Sequence, residues 1–398
     1  MDQHLPGSAS EQATARTLAR HPRPAGGDPL RRLDAPAFSL SGMVLNNDPH
    51  DPRDPHHATQ QLVIKKKPPW LKAKVPGGPG YEKLKDLLAK ANLVTVCQEA
   101  SCPNMGECWS RGVATIMILG DTCTRACGFC NVKTGRPATL DKDEPRRVAE
   151  SLRQMTAGTG LKHIVITSVN RDELQDGGAS IWAETITRTK DACPGLSIEV
   201  LIPDFEGHWA ALQMVIDARP HIINHNLETV RRMYPAVRPS AKFDRSLELL
   251  RRVKEQGLVA KTGIMVGIGE RDAEVLELMD ELIEKTRVPG SEPDSNSGPG
   301  PGPSGGGGTG TSPKSCDILT IGQYLQPTRN HLPIDRFVTP ERFDAYRQAG
   351  LAKGFRVVES GPLVRSSYHA DHQADELSDV VSERDREMRR RMDGLLER

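Results

Sequence analysis

Three things are scarce in this 398-residue chain, and each scarcity closes off a class of function. No apolar run is long enough to cross a bilayer, so an integral membrane role is not expected. Formal charge balances to +1, which gives no electrostatic ground for bulk binding to nucleic acid. Residues 1–62 have no apolar core segment, and Asp2, Glu11 and Asp28 fall early, so nothing there reads as a secretory signal. Arg16, Arg20 and Arg23 leave an organelle matrix open. The expectation is the cytoplasm, a reducing compartment in which clustered cysteines serve metal or redox chemistry sooner than disulfides.

What the chain does have is a concentration of thiols. Six of its eight cysteines fall between Cys97 and Cys130, in "VCQEASCPNMGEC" (Val96 to Cys108) and "CTRACGFC" (Cys123 to Cys130). The remaining two, Cys193 and Cys316, read as small buried thiols.

From Ala114 onward, apolar β-rich runs alternate with amphipathic helical ones. Strands are predicted at 114–120, 163–168, 197–203, 221–226, 260–268 and 317–325, and "FRVVESG" (Phe355 to Gly361) adds one more beside them. Their nearly continuous apolar character suits parallel strands buried on both faces. "EPRRVAESLRQM" places Val148, Leu152 and Met155 on one face, and "FDRSLELLRRVKEQG" ends on a glycine stop, as amphipathic crossover helices do. Right-handed strand–helix repeats predict a partial parallel (β/α)6 TIM-like barrel, with N- and C-terminal extensions covering its open end. An open doubly wound sheet is the alternative.

The domain reading follows. Residues 1–62, polar and rich in Pro, Asp and His, are expected to be disordered. Residues 63–113 form a segment carrying the first thiols, 114–371 the barrel, and 372–398 a charged helical tail. "KKKPPWLK" (Lys65 to Lys72) reads as a solvated charge run, or as a patch for an acidic partner. Inside the barrel, 288–314 is a Pro/Gly/Ser-rich insertion, too poor in apolar surface to offset ordering.

Cys123, Cys127 and Cys130 make C-x3-C-x2-C directly after the first barrel strand, at the face where barrel enzymes keep their chemistry. Three thiolates can hold three irons of a [4Fe–4S] cluster and leave the fourth open to a small molecule. A structural zinc would want four closed ligands. Cys97, Cys102 and Cys108 make C-x4-C-x5-C, which implies a second cluster, again one ligand short.

The C-x3-C-x2-C motif resembles the signature of the radical S-adenosylmethionine superfamily. There the open iron chelates the amino and carboxylate groups of S-adenosylmethionine, and reduction releases methionine and a hydrogen-abstracting 5′-deoxyadenosyl radical. With "TVCQEASCPNMGECW" ahead of "GDTCTRACGFC" and "GPLVRSSYHAD" (Gly361 to Asp371) at the far end, the chain resembles the lipoyl synthase family from about Lys67 to Asp371. "DELQDGGA", "EVLIPDF", "HNLETV" and "IGQYLQPT" stand in family form and order.

The resemblance implies a serine of R-S-S-Y as the missing ligand, placed at Ser367 in preference to Ser366. Oxygen is a harder and poorer partner for iron than thiolate. It implies S-adenosylmethionine contacts at Gly177, Gly178, Asn226, Glu228, Gly263 and Gly267. "DGGA" lacks the carboxylate that many superfamily members carry after the glycines. The implied activity is insertion of two sulfurs, at C6 and C8 of an octanoyl chain on a lipoyl carrier domain. Implied partners are the carrier domains of 2-oxoacid dehydrogenase E2 subunits and the glycine cleavage H protein, a flavodoxin or ferredoxin as electron donor, and a cluster-repair protein. Rival readings are a biotin synthase-like sulfur inserter or methylthiotransferase, and a non-catalytic two-cluster electron carrier. C-x4-C-x5-C and the serine-rich tail oppose the sulfur-inserting rivals; an electron carrier needs neither an open iron nor a barrel.

Overall fold

Alternating strands and helices demand a sheet whose neighbours run the same way, and the chain builds one. The computed structural model describes residues 66–377, apart from 74, 91–92, 111–113, 160 and 289–314. The expectations for 1–62, for all but Val288 of the insertion and for 378–398 therefore lie outside the described residues.

The strands are β1 (Val94–Thr95), β2 (Thr115–Ile118), β3 (Thr122–Cys123), β4 (Lys133–Thr134) and β5 (His163–Ser168). They continue with β6 (Ser197–Leu201), β7 (Ile222–Asn224), β8 (Val259–Val266), β9 (Ile318–Gln323) and β10 (Val357–Gly361). The main sheet runs β1-β2-β5-β6-β7-β8-β9-β10. Every pairing from β2 to β10 is parallel, while β1 is antiparallel to β2. Among the described residues no ladder joins β10 to β1, so the sheet is that of a partial barrel. All four residues of β2 and all six of β9 are buried, as strands covered on both faces must be. The sequence reading anticipated the seven parallel strands, including "FRVVESG". It did not anticipate β1, β3 or β4, which at two residues each are too short to carry a periodicity.

Helices Glu144–Thr159, Ala179–Ala192, Trp209–Asp217, Phe243–Glu255, Asp272–Lys285 and Pro340–Lys353 form the crossovers between successive parallel strands. The last illustrates how sequence sets the ends. Thr339 caps the first turn by accepting from the Arg342 amide, Pro340 opens the helix, and Gly354 ends it at φ +109°. That order matches the needs of free amides at one terminus and a left-handed exit at the other.

Successive residues of a strand face opposite sides, so the inner face carries a different set from the helix-covered one. Ala260, Ile264 and Val266 join the large core with helix residues such as Leu249 and Val253. On the other face Lys261 pairs with Glu199 at 2.9 Å, and Asn224 donates to the same carboxylate at 3.0 Å. All three are fully buried. Below them Ile222, Val259, Ile318 and Val357 pack with Leu377 in a separate cluster, so the segment following helix Ala370–Glu376 lies against the inner face.

The insertion is anchored at its roots. Thr286 and Cys316 flank it, and the Cys316 amide donates to Thr286 Oγ1 at 2.8 Å. Cys193 and Cys316 are both buried, while Lys66, Lys67 and Lys72 are exposed. Among the described residues no helix is long and apolar enough to cross a membrane.

Candidate active site

The loop bearing Cys123, Cys127 and Cys130 leaves the sheet just after β2 and is closed into a ring by backbone alone. Parallel bridges pair Thr122 with Lys133 and Cys123 with Thr134, and the Gly135 amide donates to Cys123 O at 3.0 Å. Within the ring the Cys130 amide donates to Cys127 O at 3.1 Å. Gly128 is wedged against the neighbouring chain. It donates to Val237 O and accepts from the Leu332 amide, both at 3.0 Å, and a Cβ there would meet Leu332 Cδ1 at 2.9 Å. His331 Nε2 donates to Cys130 O at 2.9 Å.

One buried arginine anchors the ring to the barrel. Arg125 makes a two-pronged contact with Asp172 at 2.8 and 2.7 Å and an ion pair with Asp204 at 2.8 Å. Burial opposes the charge of Arg125, but the two carboxylates outweigh it and raise its pKa. Burial likewise works against Asp204, and Arg125 wins by holding that carboxyl below its ordinary range. A buried charge of this kind is tolerated because opposite charges face it, here the carboxylates of Asp172 and Asp204.

The thiols themselves are in apolar surroundings. Burial pushes Cys127 up to about 11 and Cys130 up to about 12, with Arg238 partly opposing the rise at Cys127. Binding metal would therefore release their protons. Cys123 Sγ already accepts from the Asn170 amide at 3.3 Å and the Arg125 amide at 3.4 Å, which is how a protein supports sulfur that carries charge.

The second triplet is mounted differently. Cys97 lies in the short helix Val96–Glu99, which Thr95 caps by accepting from the Gln98 amide. Cys102 follows, its amide donating to Cys97 O at 2.9 Å, and Cys108 lies in helix Met105–Ser110. The segment is fastened by β1 on β2 and by Trp109 stacked on Tyr81 at 5.2 Å. Asn131, just past Cys130, donates to Glu99 O at 3.0 Å and so ties the two triplets together.

These thiols open onto a pocket of about 300 Å3, its mouth included, lined by Cys97, Cys102, Cys108, Thr115, Arg365 and Ser367 among others. Ser367 and Arg365 arrive from the turn after β10. That turn lies directly on the sheet: a Cβ on Gly322 of β9 would stand 2.1 Å from Val364 O. Asn104 Nδ2 donates to Leu363 O at 2.6 Å, and Tyr368 OH donates to Glu107 at 3.3 Å. Thr115 of β2 donates to Ser367 Oγ at 2.9 Å. Ser366 does not line the pocket. Burial, followed by the neighbouring Cys97, raises the pKa of Cys102, against which Arg365 acts.

The remaining sequence candidates lie in or after β7 and β8 and at the start of helix Ala179–Ala192. Glu228 has φ +70° and bridges to Ile264. Burial raises its pKa, while Arg238, Asn226 and Arg365 favour the charged form. Gly177 and Gly178 form the left-handed turn that opens helix Ala179–Ala192, with the Gly178 amide held by Asp176 at 2.9 Å. Side chains there would meet Phe205 and Leu119. A Cβ on Gly263 would stand 2.8 Å from Asn226 Oδ1. Gly267 faces its own chain: the space its side chain would need is filled by Arg336 O and Gln323 Nε2, each at 2.3 Å. Packing alone therefore requires glycine at that position.

Two donor sets suit the groups implied by the sequence. Each triplet offers three sulfurs, the ligand type of iron–sulfur clusters, and among the described residues no three His, Cys, Asp or Glu side chains close on a single ion. Among the buried side-chain oxygens without a hydrogen-bond partner are Ser168 Oγ, Asn170 Oδ1 and Asn226 Oδ1. All three lie at or just beyond the C-terminal ends of β5 and β7, where a polar ligand would satisfy them. Sequence reasoning missed Ser168, Asn170, Thr115 and Arg365. Arg365 stands in the quoted R-S-S-Y motif, but the others follow apolar strands or sit inside them, with no pattern to mark them.

Known proteins resemble this chain over most of its length. Residues 117–282 match the model of the radical SAM superfamily, and residues 40–102 match that of the N-terminal domain of lipoyl synthase. Lipoyl synthase of Rubrobacter xylanophilus is 52% identical over 312 residues, covering 78% of this chain and 87% of the relative. That of Parabacteroides distasonis is 51% identical over 306 residues, covering 77% and 97% respectively. Among solved structures, Streptococcus suis SuiB bound to S-adenosylmethionine superposes with a TM-score of 0.45 at 11% identity, covering 65% of this chain and 54% of that one.

Proposed function

The chain belongs to the lipoyl synthase family of the radical S-adenosylmethionine superfamily, and from that premise we propose that it inserts sulfur at C6 and C8 of a protein-bound octanoyl group. The family brings with it S-adenosylmethionine and a [4Fe–4S] cluster. Our finer reading is two clusters: one on Cys123, Cys127 and Cys130, the other on Cys97, Cys102, Cys108 and Ser367. When bound, these groups supply a hydrogen-abstracting radical and the sulfur to be inserted. Such chemistry belongs to cofactors because the two carbons are unactivated and no side chain could deprotonate them.

The observation that carries the two-cluster reading is the pocket in which Cys97, Cys102 and Cys108 meet Ser367 from a turn far along the chain. It supplies the fourth donor that the spacing lacks. The protein's own part is to orient and to shield. Asn170 and the Arg125 amide support the Cys123 sulfur. The Arg125 network keeps the ring in place. Ser168, Asn170 and Asn226 offer unpartnered oxygens to the S-adenosylmethionine we place beside Gly177, Gly178, Glu228, Gly263 and Gly267.

Substrates are octanoylated carrier proteins in general; in our reading they include E2 subunits and the glycine cleavage H protein. Flavodoxin or ferredoxin as reductant, a cluster-repair partner, a cytoplasmic setting and the domain limits given above belong to the same proposal. The deciding experiment incubates the reconstituted full chain with reductant, S-adenosylmethionine and an octanoylated carrier peptide, followed by mass spectrometry. A gain of two sulfurs is expected. Methionine release without any mass change in the peptide would overturn the substrate assignment.

A further inference from the structure

We propose that Thr115 is the positioning residue for the Ser367 hydroxyl, aiming it at the three thiols of the second pocket. The inference rests on the reading of Ser367 as their fourth partner and goes one shell beyond it.

Thr115 opens β2, is buried, and sits in register with Val165 of β5. β1 flanks β2 on its other side, its Thr95 paired with the adjacent Ile116. Ser367, by contrast, lies in a turn whose side-chain torsions are set by what it touches. A serine hydroxyl has three staggered positions to choose from. Thr115 Oγ1 donates to Ser367 Oγ at 2.9 Å, and both side chains line the pocket with Cys97, Cys102 and Cys108.

The valence of oxygen gives this contact its direction. A hydroxyl has one hydrogen and two lone pairs. With one lone pair taken by Thr115, the other lone pair and the hydrogen remain for the pocket. A hydrogen bond to an oxygen carrying negative charge is about twice as strong as a neutral one. The Thr115 contact is thus strongest when Ser367 serves as a ligand, and it holds the hydroxyl in place when it does not. Outer partners of this kind commonly change metal affinity or activity by roughly 10–100-fold.

The test uses the full chain with Cys123, Cys127 and Cys130 replaced by Ala, so that Mössbauer spectra report the second cluster alone, and the otherwise unaltered enzyme for product and methionine. Thr115→Val should keep about four irons in the spectroscopic background and shift the spectrum toward that of Ser367→Ala. In the otherwise unaltered enzyme it should lower lipoyl product per methionine by roughly tenfold. Thr115→Ser should restore both. A role limited to fastening the turn would lower the melting temperature and leave the spectrum untouched, which overturns the proposal. So does a wild-type spectrum in Thr115→Val when Ser367→Ala differs. A wild-type spectrum in Ser367→Ala instead overturns the ligand reading beneath it. If Thr115→Val does not fold, Thr115→Ala read against Thr115→Ser decides: a spectral difference supports the proposal and identity ends it.

Discussion

The two cysteine triplets are equal in thiols and unlike in construction. Cys123, Cys127 and Cys130 sit on one ring of backbone closed by β3 and β4 and anchored by Arg125. Cys97 and Cys108 sit on two short helices with Cys102 in the connection between them, and their pocket is walled on its far side by the turn after β10. The thiols of the first site all come from one loop, whereas Ser367 reaches the second from far along the chain. On the reading proposed above, the site that persists through turnover is the locally built one, and the site that gives up its sulfur is closed by a part that can let go.

Breaking the first triplet gives the largest effect. Replacing Cys123, Cys127 and Cys130 by Ala should lower reconstituted iron from about eight to about four per chain and abolish methionine release. Retained cleavage of S-adenosylmethionine would mean the roles of the triplets are exchanged. Next comes Ser367→Ala, which should leave methionine formation standing while lipoyl product falls by at least about tenfold, as loss of a ligand contact does. Ser366→Ala is the milder control, because Ser366 does not line the pocket. Equal losses at both positions would erase the distinction between them.

A third substitution tests the anchoring. Asp204→Asn leaves Arg125 with Asp172 but removes a buried charge partner, and should destabilise the chain by about 3 kcal/mol. Iron should be lost from the first site and not from the second, measured by denaturant unfolding and by iron content in each triplet background. Equal loss from both would show the ring is not independently held. The smallest effect belongs to removal of 289–313 with a short linker. Its roots are already joined between Thr286 and Cys316, and loop length changes closure cost only logarithmically. Activity should stay within about twofold of wild type, given a closure term of about 0.6 kcal/mol per doubling of length.

The same contrast governs what could be read from the residues. The seven parallel strands were legible because each is a short, largely apolar, β-rich run between amphipathic helical ones, and the first triplet because its thiols are eight residues end to end in "CTRACGFC". Ser367 was reached only through resemblance, since a lone serine in a turn has no periodicity or spacing to distinguish it. Thr115 was invisible: inside "ATIMILG" it reads as one more β-branched strand residue. Gly267 teaches the converse. The family resemblance pointed to a ligand there, while close approach of Arg336 O and Gln323 Nε2 supplies a sufficient reason for glycine. Spacing reports partners that are near in sequence; partners brought together by the barrel leave no trace there.

The turn that delivers Ser367 also imposes an order in time. Asn104 and Leu363, which join its two walls, are 259 residues apart. At roughly 5–20 residues per second, the cysteines of the second pocket emerge tens of seconds before the oxygen that faces them. A nascent or truncated chain reaching β10 and no further holds all six clustered thiols and every parallel strand among the described residues, yet lacks the Ser367 hydroxyl that we propose as the fourth donor. Ribosomal direction therefore puts the three thiols first, and on that proposal loading before or after release from the ribosome meets two different donor sets.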